Sequence, residues 1–313
     1  MNKTFEGAIV IGSPRSGTTL LRRLLDAHPA IVCPSETNLL GAASRFLEES
    51  EIAGGLHVGV VPGLGFSGFS EDEVLSDLRE FLFSYWRRIL AKCGKELWVE
   101  KTAVDVFHLD AIERLCADQC RYICMSRHAL DVVCSMKDLS IKMDAFLTEM
   151  HKFVKSHEQL SEAFAQAWCV ANDRMLKFVN DHPDWCIQLK YENLVADPAA
   201  EMDRIYGFLG VEKIAETLVD DALNKKDSVG LGDWKTYGSS EVSTEQIGRY
   251  TSLDGWTIKR LAPLVNPLLK RLGYEPVVVS DIVAQQDSRR VKELGQYVAA
   301  MKMTGGDQSK DDE

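Results

Sequence analysis

No stretch of the 313 residues approaches the roughly 20 consecutive apolar residues that a membrane-spanning helix requires, and the first residues lack the basic, apolar, small-residue order of a secretory signal. No membrane association is expected, and the chain reads as cytoplasmic. Positive charge is also scarce: 36 Lys and Arg face 47 Asp and Glu, a formal net charge of −11. That balance opposes the broad attraction to a phosphate backbone on which non-specific nucleic-acid binding depends, so no nucleic-acid partner is expected. A local basic pocket for a small anion remains compatible with it. The eight cysteines form no disulfide framework; they fall in segments that read as core strands and helices, as buried thiols in a reducing compartment do. Cys116, Cys120, Cys124 and His128 recur every four residues and would share a helical face suited to zinc, but Arg121–Ser126 reads as a strand and breaks that stripe. No metal site is expected.

What is present is enough apolar residue, 45% of the chain, to fill a sizeable core. Gly7 to Ile11 is a short apolar run of the kind a fully buried parallel strand shows, and an amphipathic stretch from Gly17 to Ala27 follows it. Leu97–Glu100, Tyr122–Met125 and Trp185–Leu189 also have strand character, and helical patterns long enough for crossover connections separate them. The alternation predicts an α/β fold of three layers, a central mainly parallel sheet flanked by helices. Ser70-Glu-Asp-Glu73 has capping-box spacing and predicts a helix running to about Lys92 and ended by Gly94. Gly54 to Gly68 reads as a surface loop beside the site. A helical pattern spans about Asp144 to Asn180 with room for an interruption, and in Leu253–Leu272 the prolines Pro263 and Pro267 are expected to kink or divide the helix. We expect one catalytic domain over 1–280, a helical extension over 281–304, and a disordered acidic tail over 305–313.

The chemistry concentrates after the first strand, in Gly12-Ser-Pro-Arg-Ser-Gly-Thr-Thr-Leu20. Two glycines bracket a tight loop that feeds a helix N-terminus, and in such a turn the backbone N–H groups and the helix dipole together cradle a phosphate. A nucleoside-triphosphate P-loop reads G-x-x-x-x-G-K-[ST]; here Thr18 stands where the lysine belongs. Arg15 supplies a positive charge within the loop instead, and Ser16, Gly17, Thr18 and Thr19 complete the candidate anion site.

From Pro14 to Pro29, continuing into Cys33-Pro-Ser-Glu-Thr37, the sequence resembles the sulfotransferases that use 3′-phosphoadenosine 5′-phosphosulfate (PAPS), whose loop follows P-[RK]-S-G-T-T. The likeness is to the tyrosylprotein enzymes and to bacterial sulfotransferases, including those acting on carrier-bound hydroxyacyl chains. It extends from about Ala8 to Tyr274 and implies a P-loop-like fold, PAPS as donor, PAP as product and no required metal. By the same resemblance Arg127, at the end of a strand, and Ser135, eight positions later, bind the 3′-phosphate. Tyr191, in Lys190-Tyr-Glu-Asn-Leu194, lies either by the adenine or in the core. Lys235, in Gly232-Asp-Trp-Lys235, corresponds to a C-terminal phosphate contact, although the Arg-Lys-Gly that precedes it in cytosolic enzymes is replaced by Asp227-Ser-Val229.

For catalysis the resemblance implies that Glu36 is the general base, with Glu100 as the alternative, and that Lys101 and Arg15 stabilise the transferring group. No histidine sits in the motif that the cytosolic steroid and phenol enzymes use. Tyrosylprotein enzymes follow the Glu-Thr pair with an arginine suited to acidic peptides, whereas Asn38 stands here. A small-molecule or carrier-bound hydroxyl is therefore the expected acceptor. An ATP-dependent kinase of the same fold is opposed by the missing lysine. A non-catalytic nucleotide-binding protein is opposed by the presence of Glu36 and Lys101.

Overall fold

The structure is a computed structural model and describes residues 5–213, 243–282 and 284. In chain order its strands are β1 (Gly7–Gly12), β2 (Ile31–Val32), β3 (Glu49–Ile52), β4 (Leu56–Gly59), β5 (Leu97–Glu100), β6 (Cys120–Ser126) and β7 (Cys186–Lys190). The helices that matter below are α1 (Thr18–Asp26), α2 (Leu39–Phe46), α3 (Val60–Gly65), α4 (Glu71–Cys93), α5 (Leu109–Cys116) and α6 (Ala129–Met143). They continue with α7 (His151–Ser156), α8 (Leu160–Asp181), α9 (Tyr191–Ala196), α10 (Pro198–Leu209) and α11 (Gly255–Arg271).

Five strands form one sheet in the order β2-β5-β1-β6-β7, and every neighbouring pair is parallel. Strand β1 is buried along its whole length, which is why it reads as an unbroken apolar run. Its side chains nevertheless divide by the two-residue strand period. Ala8 and Val10 meet Leu21, Leu24 and Leu25 of α1 and Ile205 of α10 on one face. Ile9 and Ile11 join Val133 of α6, Trp168 of α8 and Val265 of α11 on the other. These are the three layers predicted. Because all five strands run the same way, the segments that follow them collect at one edge of the sheet, where ligand sites of such sheets lie.

The predicted helix after Ser70 forms with its capping box complete. Ser70 accepts from the Glu73 backbone, Glu73 accepts from the Ser70 backbone, and Gly94 ends the helix at φ 62°. Two expectations need correction, and the interruption allowed for in a third is located. The segment from Gly54 to Gly68 is no plain loop: Gly54 and Gly55, at φ 89° and 76°, turn an antiparallel hairpin of β3 and β4, α3 follows, and the candidate cleft is lined by other residues. The pattern over Asp144–Asn180 is broken into a 3-10 turn, α7 and α8, with His157 extended between the two helices. Helix α11, by contrast, runs unbroken through Pro263 and Pro267. Both prolines and Lys259, spaced four apart, lie on its exposed face, so water can take the carbonyls that each proline leaves without an N–H. Ile258, Leu261, Val265 and Leu269 are buried on the opposite face and hold the helix to α8.

The chain from 285 onward lies outside the described residues, and with it most of the expected extension and the acidic tail. Among the described residues no helix is long and apolar enough to cross a membrane. The cysteines weighed as zinc ligands are split between the end of α5 (Cys116) and β6 (Cys120, Cys124), so no single helix aligns them.

Candidate active site

Strand β1 delivers the loop Ser13–Gly17 to the N-terminus of α1. Arg15 and Gly17 both take left-handed backbone conformations, φ 70° and 94°, which curl the loop into the kind of concavity where N–H groups face an anion. Gly17 is required twice over. A Cβ there would sit 2.3 Å from the Tyr191 ring, and an L side chain would be strained at its φ. Ser16 closes the turn: its N–H donates to the Ser13 carbonyl at 3.1 Å, and its hydroxyl is 2.7 Å from the Ser13 hydroxyl. Its buried side chain therefore staples the loop. Arg15, Gly17, Thr18 and Thr19 line a cleft of about 660 Å³, partly open to solvent, together with Glu36.

Glu36 arrives from the segment after β2, which is pinned by Arg22 donating to the Cys33 carbonyl at 3.2 Å and by the Cys33 N–H donating to Asp26 at 2.9 Å. Lys101 follows β5 and is only 1% exposed. Its ammonium donates to Glu36 Oε1 at 2.6 Å and reaches the Thr19 hydroxyl at 3.4 Å. A buried ammonium without a carboxylate partner would be costly, so this pair fixes both groups at the cleft floor.

Glu100, one residue before Lys101, is placed quite differently. It is buried and accepts from Thr37 Oγ1 at 2.8 Å, Trp86 Nε1 at 3.0 Å and Thr102 Oγ1 at 3.0 Å. Burial pushes its carboxyl above the ordinary range, while those three donors pull the other way. It does not line the cleft. Asp105, in the 3-10 turn after β5, is fully buried, and neither carboxylate oxygen has a hydrogen-bond partner among the described residues. Burial, then the charges of Glu100 and Glu36, push it well above the ordinary range.

On the other side of β1, Arg127 follows β6 and Ser135 lies buried on α6. Arg127 donates to the Arg15 carbonyl at 3.0 Å and to the Gln246 carbonyl at 2.6 Å, and its guanidinium lies 4.3 Å from the centre of the Tyr191 ring. Arg15 Nε donates to the Ser135 hydroxyl at 3.0 Å. The structure thus brings Arg127, Ser135, Tyr191 and the phosphate loop into one corner. Tyr191 is buried there between Gly17 and Arg127. Lys235 lies outside the described residues.

Sequence reasoning missed the segment that covers this corner. Asp131 of α6 accepts from the Gly248 and Tyr250 N–H groups at 2.8 and 3.1 Å, and Arg249 donates to Asp138 at 2.8 Å. The Tyr250 ring stacks on His128, 4.5 Å between centres, and burial pushes His128 down to about 4. Asp131 and Asp138 sit seven apart on one face of α6, the sole hint in the sequence of a segment docked there, which is the 3-10 turn Arg249–Ser252 with Gly248 before it.

A parallel sheet whose first strand feeds an arginine-bearing loop at a helix N-terminus, with the buried Lys101 hydrogen-bonded to Glu36 at the cleft, defines a protein of the P-loop-like fold. The profile of the Sulfotransferase family matches residues 8–216, two thirds of the chain, and the chain belongs to that family. It is a sulfotransferase, an enzyme that transfers sulfate. It is 26% identical over 289 residues to protein-tyrosine sulfotransferase A of Caenorhabditis elegans, covering 88% of this chain and 69% of that one. Its fold is similar to the sulfotransferase domain of the curacin biosynthetic pathway, with TM-score 0.55 and 20% identity, covering 88% of this chain and 100% of that one. The sulfotransferase domain of the Synechococcus PCC 7002 olefin synthase is similar to the same degree, with TM-score 0.55 and 22% identity over 88% and 98% of the two chains.

Proposed function

We propose that this sulfotransferase takes its sulfuryl group from PAPS and passes it to a hydroxyl on a small-molecule or carrier-bound acceptor, with PAP as the other product and no metal required. The observation that carries the reading is the hydrogen bond of 2.6 Å from the buried Lys101 to Glu36, which lines the same cleft as the phosphate loop. The donor supplies an activated sulfuryl group on a good leaving phosphate. Transfer forms a bond between acceptor oxygen and sulfur and breaks the bond between sulfur and the phosphate oxygen. The acceptor's proton goes to Glu36, whose Oε2 has no protein donor among the described residues. Lys101 and Arg15 hold positive charge where negative charge grows, and the loop N–H groups receive the phosphate. Arg127 fits the 3′-phosphate in one specific respect: its Nε is buried with no hydrogen-bond partner among the described residues, a donor available to an anion.

Calorimetry with PAP, and with the same nucleotide lacking the 3′-phosphate, tests the donor. PAP should bind more tightly, and Arg127→Ala should remove most of the difference, about tenfold or more for charge-assisted hydrogen bonds. Equal affinities in the unaltered protein would overturn the 3′-site. Transfer of labelled sulfate from PAPS that persists in a chelator supports the metal-free mechanism. A second acceptor reading, a peptide tyrosine, is favoured by the activity named for the Caenorhabditis elegans relative. Asn38, in place of an arginine, weighs against it.

A further inference from the structure

Beyond the phosphate loop and Glu36, the cleft wall is apolar. Ala103 comes from the turn after β5, Leu139 and Met143 from the last turns of α6, and Leu147 from the segment beyond it. Leu139 and Met143 are four residues apart and so share a helical face, about 6 Å along the axis. Met143 is 54% exposed, an unbranched apolar side chain left open at the mouth of a site rather than folded into the core. The charged side chains among the described residues lining the cleft are Arg15 and Glu36, and both are engaged, with Ser135 and Lys101 respectively. Lys137 and Lys142 lie on α6 but do not line the cleft. An acidic acceptor would thus meet an apolar wall and a carboxylate, on a protein whose net charge of −11 already repels it. An uncharged apolar body would meet surface it can bury, with methionine adapting to its shape.

We propose, on the basis of the sulfotransferase reading above, that the acceptor is an uncharged alcohol on an apolar body, and that Leu139, Met143 and Leu147 bind that body and set acceptor selectivity. The hydroxyl meets Glu36 while the chain lies along the α6 end. Two sources offer this chemistry: a free apolar alcohol, or a hydroxyacyl chain carried as a thioester.

The test uses the full chain with PAPS and a homologous series of butanol, hexanol, octanol and decanol. A hydroxyoctanoyl-pantetheine thioester and an acidic tyrosine peptide form the other two arms. KM should fall about fourfold for each methylene buried, until the chain outruns the wall, with kcat nearly level. Met143→Asp should raise KM for octanol about tenfold or more by placing a charge on the wall. Met143→Leu, which keeps the wall apolar, should raise that KM far less than Met143→Asp, and PAP affinity measured by calorimetry should be the same in all three. A lower KM for the thioester identifies a carried acceptor, and a lower KM for octanol a free one; both support the apolar site. A flat series, preference for the peptide, or PAP binding with neither turnover nor binding of any alcohol would overturn the inference while leaving donor use intact. Absence of both PAP binding and sulfate transfer would overturn the donor reading, and the inference with it.

Discussion

Glu36 and Glu100 are both carboxylates at the end of β5 or facing it, one bonded to Lys101 and the other its neighbour in sequence, and their surroundings separate them completely. Glu36 lines the cleft, gives one oxygen to Lys101 and keeps the other open. Glu100 lies in the protein's interior with Thr37, Trp86 and Thr102 directed at it. A general base needs reach to the substrate and a lone pair not already committed. Glu36 has both. Glu100 instead ties the segment after β2, through Thr37, to β5 and to α4, through Trp86. Its donors hold in place the stretch that carries Glu36, so in the proposed mechanism Glu100 is a positioning residue and Glu36 the base.

The comparison breaks most sharply in kcat. Glu36→Gln keeps the size of the side chain and an acceptor for Lys101 but cannot take a proton, and should lower kcat about a hundredfold or more with PAP affinity nearly unchanged. Measured with an aliphatic alcohol, whose hydroxyl is not acidic enough to mask the loss, a near-normal rate would remove Glu36 from the role. Lys101→Ala should likewise lower kcat more than it weakens PAP binding, because its charge acts on the developing transition state. A change confined to thermal stability would make Lys101 a structural partner only.

Glu100→Gln should show the reverse profile. Glutamine brings an NH₂ group among three donors, so at least one buried donor loses its acceptor, at about 1–3 kcal/mol. The expected result is a lower Tm with turnover per folded molecule largely kept. A large loss of kcat without a loss of Tm would exchange the roles of the two glutamates.

Sequence legibility follows the same division between local and assembled features. The phosphate loop is contiguous and its two glycines mark the turn, so it was readable as a motif, whereas the left-handed backbone of Arg15 is one that arginine disfavours and is imposed by the loop. Four of the five sheet strands were readable from their apolar runs, whereas β2, two residues long, was too short to show one. Glu36 and Lys101 were named through family resemblance; nothing in their spacing of 65 residues shows that they touch. Which glutamate could act was not readable at all, because the donors to Glu100 come from three separate segments. The same holds for the docking of Gly248–Tyr250 on Asp131. The α11 prolines misled for a related reason: a proline's cost depends on whether the carbonyl it strands meets water, and that is decided by which helix face the fold buries.

Asp105 extends the comparison to a third carboxylate and gives the smallest effect. It is buried like Glu100 but has no donor among the described residues, so its folded form holds a proton over a range where the unfolded chain has released it. The folded state then binds more protons than the unfolded one, and stability falls as pH rises from the ordinary aspartate range through the raised folded value. Asp105→Asn cannot titrate and loses no hydrogen bond that the aspartate makes. Its Tm should match the unaltered protein below the ordinary aspartate range and exceed it progressively as pH rises from that range through the raised folded value. His128 acts in the opposite sense: its pKa is depressed to about 4 by burial, so its contribution is lost as pH falls below the ordinary histidine range. Both proteins carry His128, and its effect cancels in the difference between them. The same scan on Glu100→Gln should show a weaker change of slope, since the donors to Glu100 oppose the burial that raises it. Parallel Tm curves for Asp105→Asn and the unaltered protein would mean that Asp105 stays ionised in the fold, with the nearby Lys101 charge outweighing its burial.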